Sequence, residues 1–356
     1  MLYRETGQFK SSYEQDAAIF PIQQDRIALY ILLAVAFIAV PLLATEYWMG
    51  SILTPFLILA LAAIGLNILT GYAGQLSLGS AAFMAVGAFA AYNFALRIPS
   101  LPLIVDFMLA GLVAALVGVL FGLPSLRIKG FYLAVATLAA QFFIIWLLNR
   151  VSWFSNNDAS GVINAPEIIM FGHVFSSVTE RYLLTLIIVV VMALLAKNMV
   201  RCNIGRAWMA IRDMDVAAEV IGIKMLQTKL LAFAVSSFYC GVAGALWAFL
   251  YLRTLDAQSD AFSLAGSFQI LFMIIIGGVG SILGAFLGAG FIVLLPIFLN
   301  ILAGLFGSSL HADMVAHLEV MIFGILIIFF LIVEPHGLAR LWVIGKEKLR
   351  LWPFPH

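Results

Sequence analysis

The sequence predicts an all-α, polytopic transmembrane helical bundle of about ten spans, and three observations lead there. Hydrophobic residues make up 64% and charged residues 10% of the 356 positions, and the mean hydropathy is +1.10. That is more apolar than a water-exposed surface tolerates. The apolar residues gather in stretches of roughly 20, the length that crosses about 30 Å of hydrocarbon as helix. These stretches are continuous rather than alternating, which excludes an outer-membrane barrel. Membrane lipid is therefore the expected surrounding, and a net charge of +1 with no basic cluster gives no reason to propose nucleic acid.

In chain order, residues 1–26 form a polar arm that carries Pro21 and lacks the early apolar core of a signal peptide. Its first span is expected to stay in the mature protein. Apolar stretches follow at about 27–45, 51–70, 77–96, 102–123, 131–149, 181–198, 230–251, 266–277, 282–302 and 316–333, giving a transmembrane domain over 27–333 and a tail over 334–356. The stretch 77–96 is rich in Gly and Ala and reads as a broken or re-entrant span. The pair 266–277 and 282–302 is joined by Gly277–Ser281 without a charge.

Orientation follows from Lys and Arg, which cytoplasmic loops retain during insertion. With the N-terminus inside, 15 of the 19 fall on the cytoplasmic side, and Arg97, Arg150, Arg181 and Arg253 remain outside. Both termini are then cytoplasmic. The loop 150–180 lies outside, with Asp158, Glu167 and Glu180 but no Lys or Arg over Val151–Glu180, and the loop 199–229 lies inside.

That inner loop holds an island of charge, "IRDMDVAAEVIGIKMLQTKL", with Arg212, Asp213, Asp215, Glu219, Lys224 and Lys229 close together. Its alanines favour short helix, and Val216, Val220 and Ile223 recur at helical spacing with charges on other faces, which predicts an amphipathic helix. Such a helix either lies in the membrane interface or docks on a partner. Within it "AAEVIG" (Ala217–Gly222) resembles the coupling motif of ABC importer permeases, with Val216 standing where that motif carries Glu. Small side chains let such a helix seat in a groove, and Gly222 can end it tightly.

Three further stretches, "GYAGQLSLGSAAFMAVGAFAAY" (Gly71–Tyr92), "RIKGFYLAVATLAAQ" (Arg127–Gln141) and "GGVGSILGAFLGAG" (Gly277–Gly290), resemble signature stretches of the branched-chain amino acid (Liv-type) ABC permease family. So do the loop "IGRAWMAIRDMDVAAEVIGI" and the tail "EPHGLARLW", and the likeness extends over about residues 50–342. The resemblance implies half of an importer in a bacterial inner membrane, passing branched-chain or related amino acids. Its implied partners are a second homologous permease subunit, two cytoplasmic ATPases and a periplasmic substrate-binding protein. The island would be the cytoplasmic coupling helix, with Gly205, Arg206, Arg212, Asp213, Ala217, Ala218 and Gly222 as its coupling residues. The chain has no Gly-x-x-x-x-Gly-Lys-Ser/Thr loop, so ATP would be bound and hydrolysed by the partner subunits, with no cofactor or catalytic residue in this chain.

Polar groups inside spans are costly, which makes Asn67, Gln75, Ser77, Gln141 and Gln269 the candidates for a translocation path or for helix-to-helix contact. Gln75 and Ser77 stand out because Gly71, Gly74 and Gly79 around them let backbone leave helical geometry. Gly277, Gly278 and Gly280 read as packing or hinge glycines. Cys202 and Cys240 read as unpaired thiols, and His173, His311, His317 and His336 show no metal-ligand spacing. No carboxylate lies deep in a predicted span, since Asp106, Glu319 and Glu334 fall near the ends. This counts against the alternative, a stand-alone secondary transporter of small polar solutes, which needs a buried titratable group. Cysteines placed at Asn157 and at Met214 should label from opposite sides of intact cells, and labelling of both from outside would overturn the orientation.

Overall fold

The computed structural model describes residue 12 and residues 23–125, 131–156, 162–166, 169–170, 173–305, 321–322, 324–326, 328–330, 332, 334 and 337–351. Most of the polar arm, the loop 126–130, part of the outer loop and most of the predicted span 316–333 lie outside the described residues.

Seven described helices are long and apolar enough to cross a membrane: α1 (Asp25–Leu43), α2 (Trp48–Tyr72), α4 (Leu103–Ser125), α5 (Phe131–Arg150), α6 (Val178–Arg201), α9 (Met225–Leu252) and α11 (Ile282–Leu305). Helix α3 (Ser80–Arg97) has 18 residues, but its Ala and Gly content, Asn93 and Arg97 dilute its apolarity. Helix α10 (Leu264–Gly277) has 14 residues and so extends only about 21 Å, short of the hydrocarbon thickness. The sequence-based expectation of ten crossings is corrected accordingly. An apolar run reports what a segment can be buried in, whereas its length as helix decides whether it crosses.

Helix α2 is the axis of the bundle. Its apolar side chains point in every direction, the pattern of a helix surrounded by protein, and 89% of its most apolar window is buried, against none of that of α1. Ile58, Leu61, Ile64, Leu66 and Ile68 are fully enclosed. Around this axis stand α9, α11, α6 and α10. α1 faces outward with Tyr30, Ile31, Leu32 and Ile38 exposed, as expected of a lipid-facing helix.

Small residues set how closely these helices approach. A Cβ on Gly87 would run into the Gly241 carbonyl, and one on Gly244 into the Met84 carbonyl, so α3 and α9 touch backbone to backbone. On the other side of α9, Gly118 of α4 accommodates the Ser237 side chain, and Gly241 faces Ala114. Between α10 and α11, Gly277, Gly284 and Gly288 make a second seam. Without a hydrophobic force between helices in lipid, such close packing supplies the attraction.

At one end of the bundle, β1 (Ile163–Asn164) pairs antiparallel with β4 (Thr254–Leu255), and β2 (Ile169–Met170) pairs with β3 (His173–Val174). Arg97 lies over the Trp153 ring at 3.5 Å at the same end. The opposite, basic end carries two short helices, α7 (Asn203–Asp213) and α8 (Asp215–Val220), and the terminal helix α12 (Gly337–Leu351). There Lys346 of α12 donates to both carboxylate oxygens of Asp25 on α1, at 2.7 and 2.6 Å. Cys202 is exposed and Cys240 buried, and neither is in a disulfide.

Gly244→Val should push α3 off α9, costing about 1–3 kcal/mol or more, read as a lower melting temperature in detergent. Gly345→Ala should leave melting unchanged or raise it, because nothing lies within 4 Å of a Cβ there and Ala favours helix over Gly.

Candidate functional site: the break after the second span

Helix α2 does not end in an ordinary turn. Its last residues, Ile68–Tyr72, widen into a π segment, a local unwinding common at functional positions. Ala73 N then donates to Ile68 O, and Gln75 N to Leu69 O. Gly74, at φ +68, turns the chain out of the helix in a conformation that side chains disfavour. From Ala73 to Gly79 the backbone is not helical, until α3 starts at Ser80.

Such a stretch leaves backbone donors and acceptors without helical partners, and in an apolar surrounding each must find another. At the start of α3 the partners are side chains from two neighbouring helices. Thr137 Oγ1 accepts from Leu78 N at 2.9 Å, Ser267 Oγ accepts from Ala81 N at 3.0 Å, and Gln141 Oε1 accepts from Ala82 N at 2.8 Å. Gln141 further accepts from Ser267 Oγ and donates through Nε2 to Phe262 O at 2.7 Å. Gln141 is thus a three-way brace between α3, α5 and the start of α10.

At the other end of the break, Asn67 spends both halves of its amide on the turn between α10 and α11. Its Nδ2 donates to Ser281 O at 2.7 Å, and its Oδ1 accepts from Gly280 N at 2.8 Å. This turn needs Gly278 at φ +121 and Gly280 at φ +80, and a Cβ on Gly71 would overlap Gly280. A Cβ on Gly277 would meet Gly284, and one on Gly79 would come within 3.0 Å of the Thr137 carbonyl. Gly337 of the tail, at φ +65, rests against the backbone of Ile276 and Gly278.

Arg212 joins the loop helices to this place. Its Nη1 donates to Gly71 O at 2.9 Å, a charge-assisted bond to a carbonyl at the helix C-terminus, where cations are favoured. Its Nε and Nη2 lie 2.9 Å from Asp213 Oδ1. Three glycine-rich or charged stretches far apart in the sequence therefore meet within one cluster: Asn67–Gly74, Gly278–Ser281 and Arg212.

Beyond Arg212, Arg206 bonds Asn203 within α7, and Gly205 fits tightly against Val200. Trp208 is fully buried and donates to Thr228 O at 3.0 Å, which fastens α7 to the start of α9. Helix α8 ends as a Schellman motif: Gly222 N bonds Glu219 O, Ile223 N bonds Ala218 O, and Gly222 takes φ +92. Ala218 is turned inward at 2% exposure, while Met214, Val216, Val220 and Ile221 are exposed, Val220 at 82%. Ala217 is exposed as well. The outward surface of the island is thus an apolar knob, with one of its two small alanines facing in.

The comparisons with known proteins bear on this arrangement. The family described as branched-chain amino acid transport system / permease component matches residues 48–331, a range that holds the break, the Asn67 clamp, Arg212 and the α7–α8 loop. The chain belongs to this family. The chain is 32% identical over 268 residues to the high-affinity branched-chain amino acid transport system permease protein LivM of Salmonella typhimurium, covering 68% of this chain and 61% of that one. To the Escherichia coli LivM of the same description it is 31% identical over 264 residues, covering 67% and 60%. To the probable branched-chain amino acid transport permease LivM of Methanocaldococcus jannaschii it is 25% identical over 246 residues, covering 66% and 68%. The chain thus spans about three fifths of the length of the first two relatives. No solved structure matches it.

Among the residues singled out from the sequence, Asn67 and Gln141 are committed to bracing the fold. Ser77 is buried, and its Oγ accepts from Gly79 N at 3.3 Å. Gln269 is half-buried on α10, two residues beyond the fully enclosed Ser267. Gln75 differs: it is 4% exposed, and neither its Oε1 nor its Nε2 has a hydrogen-bond partner among the described residues. Thr137 and Ser267 were not singled out. Thr137 could have been found, because it precedes Gln141 by four residues and so shares its helix face. No described cluster of three or more His, Cys, Asp or Glu could hold a metal ion. Gln141→Leu strands Ala82 N and Phe262 O and should cost about 1–3 kcal/mol for each stranded group, read by thermal unfolding. Gln75→Leu, which removes an unpaired buried amide, should be neutral or stabilising in the same assay.

Proposed function

We propose that the protein is the transmembrane permease subunit of a binding-protein-dependent ABC importer for branched-chain or related amino acids in a bacterial inner membrane. It pairs with a second homologous permease, receives substrate from a periplasmic binding protein, and is driven by two cytoplasmic ATPases that bind and hydrolyse the ATP. The basic end of the bundle is the cytoplasmic end, in keeping with the distribution of Lys and Arg.

The observation that carries this reading is the apolar knob of Met214, Val216, Val220 and Ile221. It projects from the most charged loop of a chain that otherwise avoids charge, and the same loop reaches α2 through Arg212. An interfacial helix needs apolar area with basic groups beside it. On α8 the knob is flanked by Asp215 and Glu219, and exposed Lys224 follows Ile221 by three residues, so its surroundings are of mixed charge rather than the basic rim that an anionic membrane surface attracts. A protein groove that takes apolar side chains and tolerates acid at its rim fits better. The substrate path is assigned to the break beside Gln75 and Ser77, because Asn67 and Gln141 are already spent on the fold, and Gln269 lies on roughly the opposite face of α10 from Ser267.

Val220→Asp should leave the subunit inserted and paired with its companion while cutting co-purification of the ATPases at least about tenfold, a loss near 1.4 kcal/mol. Ala218→Trp should instead disrupt α8 itself and lower the melting temperature of the subunit. Retention of the ATPases by Val220→Asp would remove the docking assignment.

A further inference from the structure

We propose that Arg212 is a transmission residue, which carries displacement of the α7–α8 loop into the Ala73–Gly79 break and thereby sets the position of Gln75. The proposal rests on the reading of that loop as the ATPase-docking element and adds the contact by which docking is felt inside the bundle.

The first support is the directness of the contact. The guanidinium bonds Gly71 O on the helical side of the break. At the near end of the break the aliphatic stem lies on Gly74, where a Cβ would stand 2.9 Å from Arg212 Cγ. A Cβ on Gly280 would lie 3.5 Å from Arg212 Nη1, so the guanidinium lies close to that turn as well. Arg212 therefore meets backbone directly at Gly71 and Gly74, with no intervening side chain whose rotamer could absorb a shift. Close-packed contacts of this kind pass displacement on rather than yielding to it.

The second support is the unequal anchoring of the break. Its far end is tied down: Leu78 to Thr137, Ala81 to Ser267, Ala82 to Gln141. Its near end is held at Gly74, whose left-handed backbone makes it a pivot. Gln75 N bonds Leu69 O and Gln75 O accepts from Thr70 Oγ1 at 3.1 Å, so Gln75 follows the end of α2 that Arg212 holds, and a movement of Arg212 passes through Gln75 into Leu76 and Ser77. The side-chain amide of Gln75 makes no bond among the described residues.

The third support is that Arg212 has a second partner. Asp213, 65% exposed, already shares the guanidinium, which is itself 39% exposed. The two contacts coexist, Nη1 on Gly71 O and Nε with Nη2 on Asp213 Oδ1, so releasing Gly71 O leaves the guanidinium still paired with Asp213 and open to water, which makes a second arrangement available. A docked partner needs only a modest difference in affinity for the two to select between them.

The test uses the assembled transporter in nanodiscs, with Cys202→Ser removing the exposed thiol and Leu76→Cys as a probe within the break. Its thiol labelling rate should change about tenfold between the nucleotide-free and ATP-bound states. Arg212→Gln should abolish that change and lower the substrate moved per ATP hydrolysed by about tenfold. Arg212→Lys, which keeps a cationic donor, should restore part of both. A labelling rate insensitive to nucleotide when Arg212 is present would overturn the proposal. So would a change that persists in Arg212→Gln, or loss of the ATPases from both Arg212 variants, which would make the contact a docking or folding determinant. Val220→Asp, run in parallel, separates the two readings. ATPases lost there while Arg212→Gln couples normally would remove the transmission role alone, and ATPases retained there would remove the docking reading itself.

Discussion

Inside an apolar bundle every backbone N–H and C=O must be paired, and a chain that leaves helical geometry has to borrow its partners from elsewhere. Much of this structure serves that requirement between Tyr72 and Ser80. Helix α5 lies where Thr137 and Gln141 can reach the start of α3, α10 where Ser267 can, and α7 where Arg212 can meet the end of α2. Asn67 does the same for the turn between α10 and α11. The helices around the break are thus held together by what the break lacks, in addition to their apolar contacts.

This division of labour separates polar groups that hold the fold from those left over. Gln141 and Asn67 are saturated, and substituting them tests architecture before it tests transport. Gln75 is buried without return, and a buried amide that makes no bond is a cost that folding alone gives no reason to keep. The α7–α8 loop shows the same contrast on its surface. Trp208 and Ala218 are buried against their surroundings, whereas Val220 and Ile221 stay exposed among the described residues.

The long spans were legible because hydrocarbon thickness imposes a run length on the sequence, and the predicted 27–45, 131–149 and 230–251 overlie α1, α5 and α9. The Gly277–Ser281 turn was legible from glycine placement, whereas the span 77–96 is not itself broken: Ser80–Arg97 is one continuous helix, and the break lies before it at Ala73–Gly79. Less legible was the extent of α10, whose apolar run looks the same whether a helix crosses or stops short. The α9 seam went unread because Gly241 and Gly244 sit in a uniformly small and apolar stretch, with no contrast to mark the side that meets α3. Gln141 was visible as a costly group, but its role depends on Ala82 and Phe262, which are 59 and 121 residues away. Ala217 and Ala218 read as one small face, although neighbours on a helix point about 100° apart and both could not face outward. Thr137 and Ser267 were overlooked because hydroxyls are cheap enough in a helix to pass as neutral.

The seam between α3, α9 and α4 has a mechanical meaning. Where backbone meets backbone at Gly87, Gly241 and Gly244, no side chain can trade one rotamer for another and let the helices ratchet. Helices α3 and α9 are thereby locked to each other, while α9 meets α4 through the small side chains of Ser237 and Ala114. Relative motion within the bundle is then left to joints elsewhere, and among the described residues the helices widen at four places, Val35–Ala39, Trp48–Leu53, Ile68–Tyr72 and Trp247–Leu252. A stiff keel with soft joints beside it places the yielding parts within α1, at both ends of α2 and at the end of α9.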